Sequence, residues 1–227
     1  MQAKVKIVGI SQLAALTLVL GGLVSSFAAE PSKVSPDEAL KHLVEGNARF
    51  VSGHLIHAGP EQVEEARSTG SEGQAPFAVI VGCSDSRVSP EIVFDQGIGD
   101  LFVVRTAGEV VDSVALGSIE YAVAHLGSAL VLVLGHERCG AVAAAVAGAK
   151  EPGHIDAVLS AIQPAVKKTK GQAGDPVENA VRAQALDVAK QLQEAKPILA
   201  ERVKSGKIKI VAGRYDLKSG KIDLLSP

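Results

Sequence analysis

Val79-Ile80-Val81-Gly82-Cys83-Ser84-Asp85-Ser86-Arg87 decides the fold. Its aliphatic and β-branched run has no polar residue on either face, so it reads as a parallel strand buried on both sides, ending at a glycine. A second stretch, Val131-Leu132-Val133-Leu134-Gly135-His136-Glu137-Arg138-Cys139-Gly140, repeats the order of apolar run, glycine and reactive side chains. Two strands of one sheet can bring Cys83, Asp85, His136 and Cys139 together at their carboxyl ends. Two thiols and an imidazole are what a tetrahedral zinc prefers, and three protein ligands leave a fourth position for water. That is the composition of a catalytic zinc site.

The 227 residues fit one domain with a sizeable core. Hydrophobic residues make up 47% and charged ones 21%, which excludes a disordered chain, and a net charge of −2 gives no reason to expect nucleic acid. There is no Trp, so the core must be aliphatic and closely packed. Both cysteines lie in the two motifs, leaving a metal pair or a single disulfide open. A disulfide, favoured in oxidising compartments, would not explain why Asp85, Arg87 and His136 stand beside the same thiols.

At the amino terminus, Lys4 and Lys6 precede an apolar run from Ile7 to Val24, and Ser26-Phe27-Ala28 supplies small residues before a cut. This predicts a signal peptide over 1–28, a linker over 29–34 and a catalytic domain over 35–227, with export to the periplasm or beyond. The rival is an uncleaved membrane anchor, because the run approaches the roughly 20 residues that span a bilayer. After cleavage no stable membrane association is expected.

Ser35-Pro36-Asp37-Glu38 is a helix start, with a Ser cap, Pro at the first position and Glu three residues after the cap. That helix runs to about Phe50 with Ala39, Leu40, Leu43 and Val44 on one face. His54 and His57 follow on a loop and read as solvated. Strands are predicted over 77–81, 101–105, 129–134, 208–212 and 222–225. Helices are predicted over 61–68, 112–126 (Val114, Leu116, Ile119 and Val123 inward), 141–149, 152–169 (interrupted near Pro164) and 176–203 (bent or broken at Pro197). The alternation argues one α/β domain, a mainly parallel sheet flanked by helices, with ligands at strand carboxyl ends.

Cys83-Ser84-Asp85-Ser86-Arg87 and Gly135-His136-Glu137-Arg138-Cys139-Gly140 resemble the C-x-D-S-R and G-H-x-x-C-G motifs of the β-class carbonic anhydrases. Gly46-Asn47-Ala48-Arg49-Phe50, Gly73-Gln74-Ala75-Pro76, Gly99 to Arg105, Ser118 to Val123 and Tyr215-Asp216-Leu217 follow in the family's order, over residues 35 to 225. The resemblance implies one zinc per chain on Cys83, His136 and Cys139, and reversible hydration of CO2 to bicarbonate and a proton by zinc-bound hydroxide. It makes Asp85 and Arg87 the catalytic dyad, with Asp85 a fourth zinc ligand in a closed state. Gln74 would donate to the substrate oxygen, as in plant-type members, and Phe102 and Tyr121 would line the substrate pocket across a dimer interface or pack as core. A homodimer or higher homo-oligomer is implied.

The chain departs from many members at Glu109, where they carry Asn. A charge there bears on hydrogen bonding at the rim or on proton transfer, for which Glu109, His57 and buffer are all open. Two other functions remain: a hydrolase of carbonyl sulfide or carbon disulfide on the same scaffold, and a non-catalytic zinc module closed by Asp85.

Overall fold

The computed structural model describes residues 34–57, 59–71 and 73–226. The predicted leader and most of the linker lie outside them. Along the chain come α1 (Pro36–Ser52), α2 (Pro60–Thr69), β1 (Ala78–Cys83), the short α3 (Pro90–Val93) and β2 (Leu101–Thr106). A 3₁₀ turn (Ala107–Glu109), α4 (Ser113–His125), β3 (Leu130–His136), α5 (Gly140–Val146) and α6 (Ile155–Thr169) follow. The chain ends with α7 (Pro176–Glu194), α8 (Ile198–Lys204), β4 (Lys209–Tyr215) and β5 (Ile222–Leu225).

The sheet order is β2-β1-β3-β4-β5, parallel except for β5 against β4. From β1 the chain goes out to β2, then returns to the other side of β1 to make β3. The reversal opens a crevice at the carboxyl ends of β1 and β3, where open α/β sheets bind their ligands.

Strand alternation assigns the two faces of the sheet. Val79, Val81, Val131 and Val133 enter one apolar cluster with α4, α7 and α8. Ala78, Ile80, Leu130, Leu132 and Leu134 enter another with α1 and α3. Burial on both faces is what the unbroken apolar runs required. A third cluster, from α5, α6 and α7, surrounds Cys83 and Cys139.

The cap of α1 is as expected: the Ser35 side chain accepts from Glu38 N, and Glu38 reaches back to Ser35 N. Its buried stripe is Ala39, Leu43, Gly46 and Asn47, while Val44 is exposed. The stripe turns that way because Gly46 lies against α3, where a Cβ would meet Phe94 O at 1.7 Å. Asn47 then donates to Val93 O (2.9 Å) and Gly220 O (2.8 Å) and accepts from Ile222 N (3.0 Å). His57 is docked rather than solvated, its Nδ1 2.6 Å from the carbonyl of Asp95. The Asp95 carboxylate takes Arg49 and the amides of Ile56 and His57, and so holds the end of α1 to α3.

Two further expectations are corrected. Val114 is 75% exposed, because the inward stripe of α4 is Ala115, Ile119, Ala122 and Val123, one position on. The α6 helix runs through Pro164 unbroken. Pro164 and Ser160, whose carbonyl loses its partner four residues on, both lie on the solvent side, so water can satisfy that carbonyl while Leu159, Ile162 and Ala165 stay packed. The break at Pro197 is present, between α7 and α8.

Replacing Asn47 by Ala would strand two carbonyls and an amide. Urea denaturation of Asn47→Ala should show a loss of about 3 kcal/mol, and a change within error of zero would mean water replaces the amide.

Candidate metal centre

Cys83 is the last residue of β1 and His136 the last of β3, and Gly82 pairs with Leu134, so the two strands end side by side. Arg138, at φ 54°, turns the chain so that Cys139 caps the start of α5 over the same strand ends. The ligand atoms of Cys83, His136 and Cys139 all lie within 4.8 Å of one another, and all three residues are buried. The sulfurs are 3.9 Å apart. A disulfide needs about 2.05 Å, whereas two sulfurs sharing a tetrahedral zinc stand about 3.8 Å apart. The thiols are free.

His136 is 1% exposed, and its Nδ1 lies 2.9 Å from the carbonyl of Glu137. A ring nitrogen there must carry the proton, which leaves the Nε2 lone pair facing the sulfurs. Nε2 has no hydrogen-bond partner among the described residues. A buried lone pair between two thiols is what a cation would satisfy, so the residues fit a metal.

Beside this group, Arg87 donates from Nε to Asp85 Oδ1 (2.9 Å) and from Nη2 to Oδ2 (2.8 Å), and its backbone N–H also reaches Oδ1 (2.9 Å). Asp85 Oδ2 is 3.8 Å from His136 Nε2.

Residues 78–222 match the family model described as carbonic anhydrase. Carbonic anhydrase 2 of Mycobacterium tuberculosis is 42% identical over 191 residues, covering 82% of this chain and 91% of that protein. A carbonic anhydrase of Mycolicibacterium smegmatis is 40% identical over 196 residues, covering 85% and 94%. Among solved structures, a tetrameric β-carbonic anhydrase from Sordaria macrospora superposes with a TM-score of 0.64 at 26% identity, covering 73% of this chain and 91% of that one. One from Aspergillus fumigatus gives 0.64 at 28%, covering 84% and 90%.

The chain belongs to the β-carbonic anhydrase family.

β-Carbonic anhydrases are zinc enzymes, and zinc is the ion for the Cys83, His136 and Cys139 group. The electrostatics suit it. The neighbouring Cys139 thiol outweighs burial and, with help from His136 and the Gly108 N–H, lowers the Cys83 thiol well below its ordinary value. The same contact, with burial, pushes Cys139 up. Burial works against a charged His136, but the Cys83 sulfur wins and raises it. Paired donation from Arg87 holds Asp85 far below the usual carboxylate range.

Gln74 is exposed, and Tyr121 is 47% exposed with its ring against His125. Phe102 pairs with Val79 near the start of β2, four residues or about 13 Å back from the ligand end. Glu109 is not at the rim; it is completely buried behind the ligands, and burial first, then the charge of Cys83, raises its pKa.

Two supporting groups are not marked by the sequence. Arg105 donates from Nε to Cys83 O (2.9 Å) and from Nη2 to Asp85 O (2.6 Å), bracing the backbone of Cys83 and Asp85. The only clue was one arginine ending an apolar strand. Gly108 donates its N–H to Cys83 Sγ at 3.3 Å, a contact that only the tertiary fold creates.

Cys83→Ser and Cys139→Ser should each lose zinc, measured by elemental analysis of purified protein, because no third thiol can replace them. Arg105→Leu should keep zinc yet turn over about tenfold more slowly; unchanged turnover would reduce Arg105 to a surface contact.

Proposed function

We propose that the enzyme interconverts CO2 with bicarbonate and a proton, and that Asp85 and Arg87 are its catalytic dyad. The carrying observation is a buried Cys, Cys and His group with an ionised, arginine-locked carboxylate 3.8 Å from the His136 nitrogen that faces the sulfurs. Zinc, when bound, supplies a Lewis acid that makes water acidic enough to be a nucleophile near neutral pH.

The remaining work belongs to side chains. Asp85, whose folded pKa lies below its unfolded one, stays ionised until the pH falls below the ordinary carboxylate range, and its ion pair contributes stability above that range. So weak a base accepts a hydrogen bond and does not keep the proton. Its role is to orient the attacking oxygen toward the carbon of CO2, while Arg87 fixes the carboxylate plane by two parallel donors that lysine could not supply. The apolar cluster of Val142, Ala145, Leu159 and Ile162 behind the thiols limits water on that side.

A closed, non-catalytic site would require Asp85 on the metal. Engagement of both its oxygens by Arg87 favours the open reading.

Gln74, Phe102 and Tyr121 would complete the substrate pocket from a second copy of the chain. The exposure of Gln74 and Tyr121 and the place of Phe102 four residues before the end of its strand support this, as does the tetrameric relative from Sordaria macrospora. Export by the leader over 1–28 is part of the same proposal. A mature amino terminus near Ala29 in the periplasmic fraction of a Gram-negative host would support it, and membrane-bound protein retaining Met1 would favour the anchor.

Asp85→Asn should retain zinc and lose about a hundredfold in kcat/KM for CO2 hydration, measured by stopped flow, since an oriented catalytic hydrogen bond is worth about 3 kcal/mol. Gln74→Ala should lose less, because the nucleophile is untouched. Full activity in Asp85→Asn would remove the dyad from the mechanism.

A further inference from the structure

Glu109 breaks two rules of folding at once. It is 0% exposed, and neither carboxyl oxygen has a hydrogen-bond partner among the described residues. Its backbone also sits in the left-handed region, at φ 44°, following Gly108 at φ 65°. A buried polar group without a partner and a left-handed residue with a side chain each destabilise a fold, and such conflicts gather at functional sites. An apolar side chain of similar length would suit this interior better.

Its surroundings say what the conflict serves. The residue before it, Gly108, donates to the Cys83 sulfur and takes the Gln184 amide on its carbonyl at 3.3 Å. Gly108 leaves no room for a side chain, because a Cβ there would meet Ile162 Cδ1 at 2.6 Å. At the far end of the side chain, Glu109 Oε1 lies 3.3 Å from where Gly135 would carry a Cβ, a point also walled by Val181 and Ala185. Gly135 immediately precedes His136. The side chain therefore reaches from the loop that holds one sulfur to the strand end that carries the imidazole.

Glu109 is not within the ligand group itself. We propose that Glu109 is a positioning residue of the metal centre, whose carboxyl favours the bound cation through the Cys83 loop and the Gly135–His136 strand end without ligating it. This rests on the zinc reading above. In an interior of low dielectric, oxygen atoms that do not ligate still stabilise a nearby cation, and outer partners of this kind typically change metal affinity by about 10- to 100-fold.

The proposal separates two quantities that a packing residue would move together. In the full-length chain, Glu109→Met keeps the length and removes the oxygens. After stripping with a chelator, this variant should melt a few degrees higher than the stripped wild type. Reloaded, it should bind zinc at least about tenfold more weakly in competition with a chromophoric chelator, and its cobalt form should show shifted thiolate-to-metal absorption bands. Glu109→Gln, which keeps an oxygen in place, should hold zinc nearly as well as wild type. Zinc affinity and cobalt spectrum unchanged in Glu109→Met would overturn the proposal. So would a stripped variant that melts lower or fails to fold, since the carboxyl would then serve the fold. If the wild type itself binds no zinc, it is the zinc reading that fails, before Glu109 enters.

Discussion

The site depends on two sulfurs held 3.9 Å apart, with an imidazole nitrogen beside them, at the ends of two neighbouring strands. Such groups do not gather by themselves in an apolar interior. Thiols gain from burial, but a buried nitrogen lone pair without a partner is costly unless a cation satisfies it. The surrounding fold supplies the restraint. β1 and β3 are buried on both faces and fixed in register, so their ends cannot slide, and α5 starts where Cys139 must be. The long aliphatic runs ahead of each motif therefore set the position of the metal ligands.

Where the fold was legible in the chain, short-range chemistry was decisive. A Ser cap answered by Glu three residues on needs no tertiary context, and neither does an apolar run too continuous for a half-exposed strand. Expectations failed where the deciding neighbour was distant in sequence. Val44 looked as inward as Leu43 until α3 came close enough to require Gly46 and Asn47 on that side. Val114 looked inward until Ala115 set the phase of α4. Pro164 looked like an interruption because nothing local indicates that the freed carbonyl faces water.

The site divides along the same line. Cys83, Asp85 and Arg87 fall within five residues and His136 and Cys139 within four, so each half could be read as a unit. Arg105, Gly108 and the burial of Glu109 could not, because each acquires its meaning from a different strand or helix. Gln74 and Tyr121 are exposed, and Phe102 lies near the start of its strand, so nothing local in one chain brings them to the metal ligands.

The two halves also hold themselves together separately. Asp85 is bound by Arg87 and its carbonyl by Arg105, and the His136 ring by the carbonyl of Glu137 next in the chain. Glu137 in turn is bound to Tyr215 O and Leu217 N. Each half is thus a jaw braced from behind, and the ion is asked to bridge the jaws, not to shape them. Little of the binding free energy is then spent on ordering the chain, so an emptied site can be refilled without the protein refolding around it.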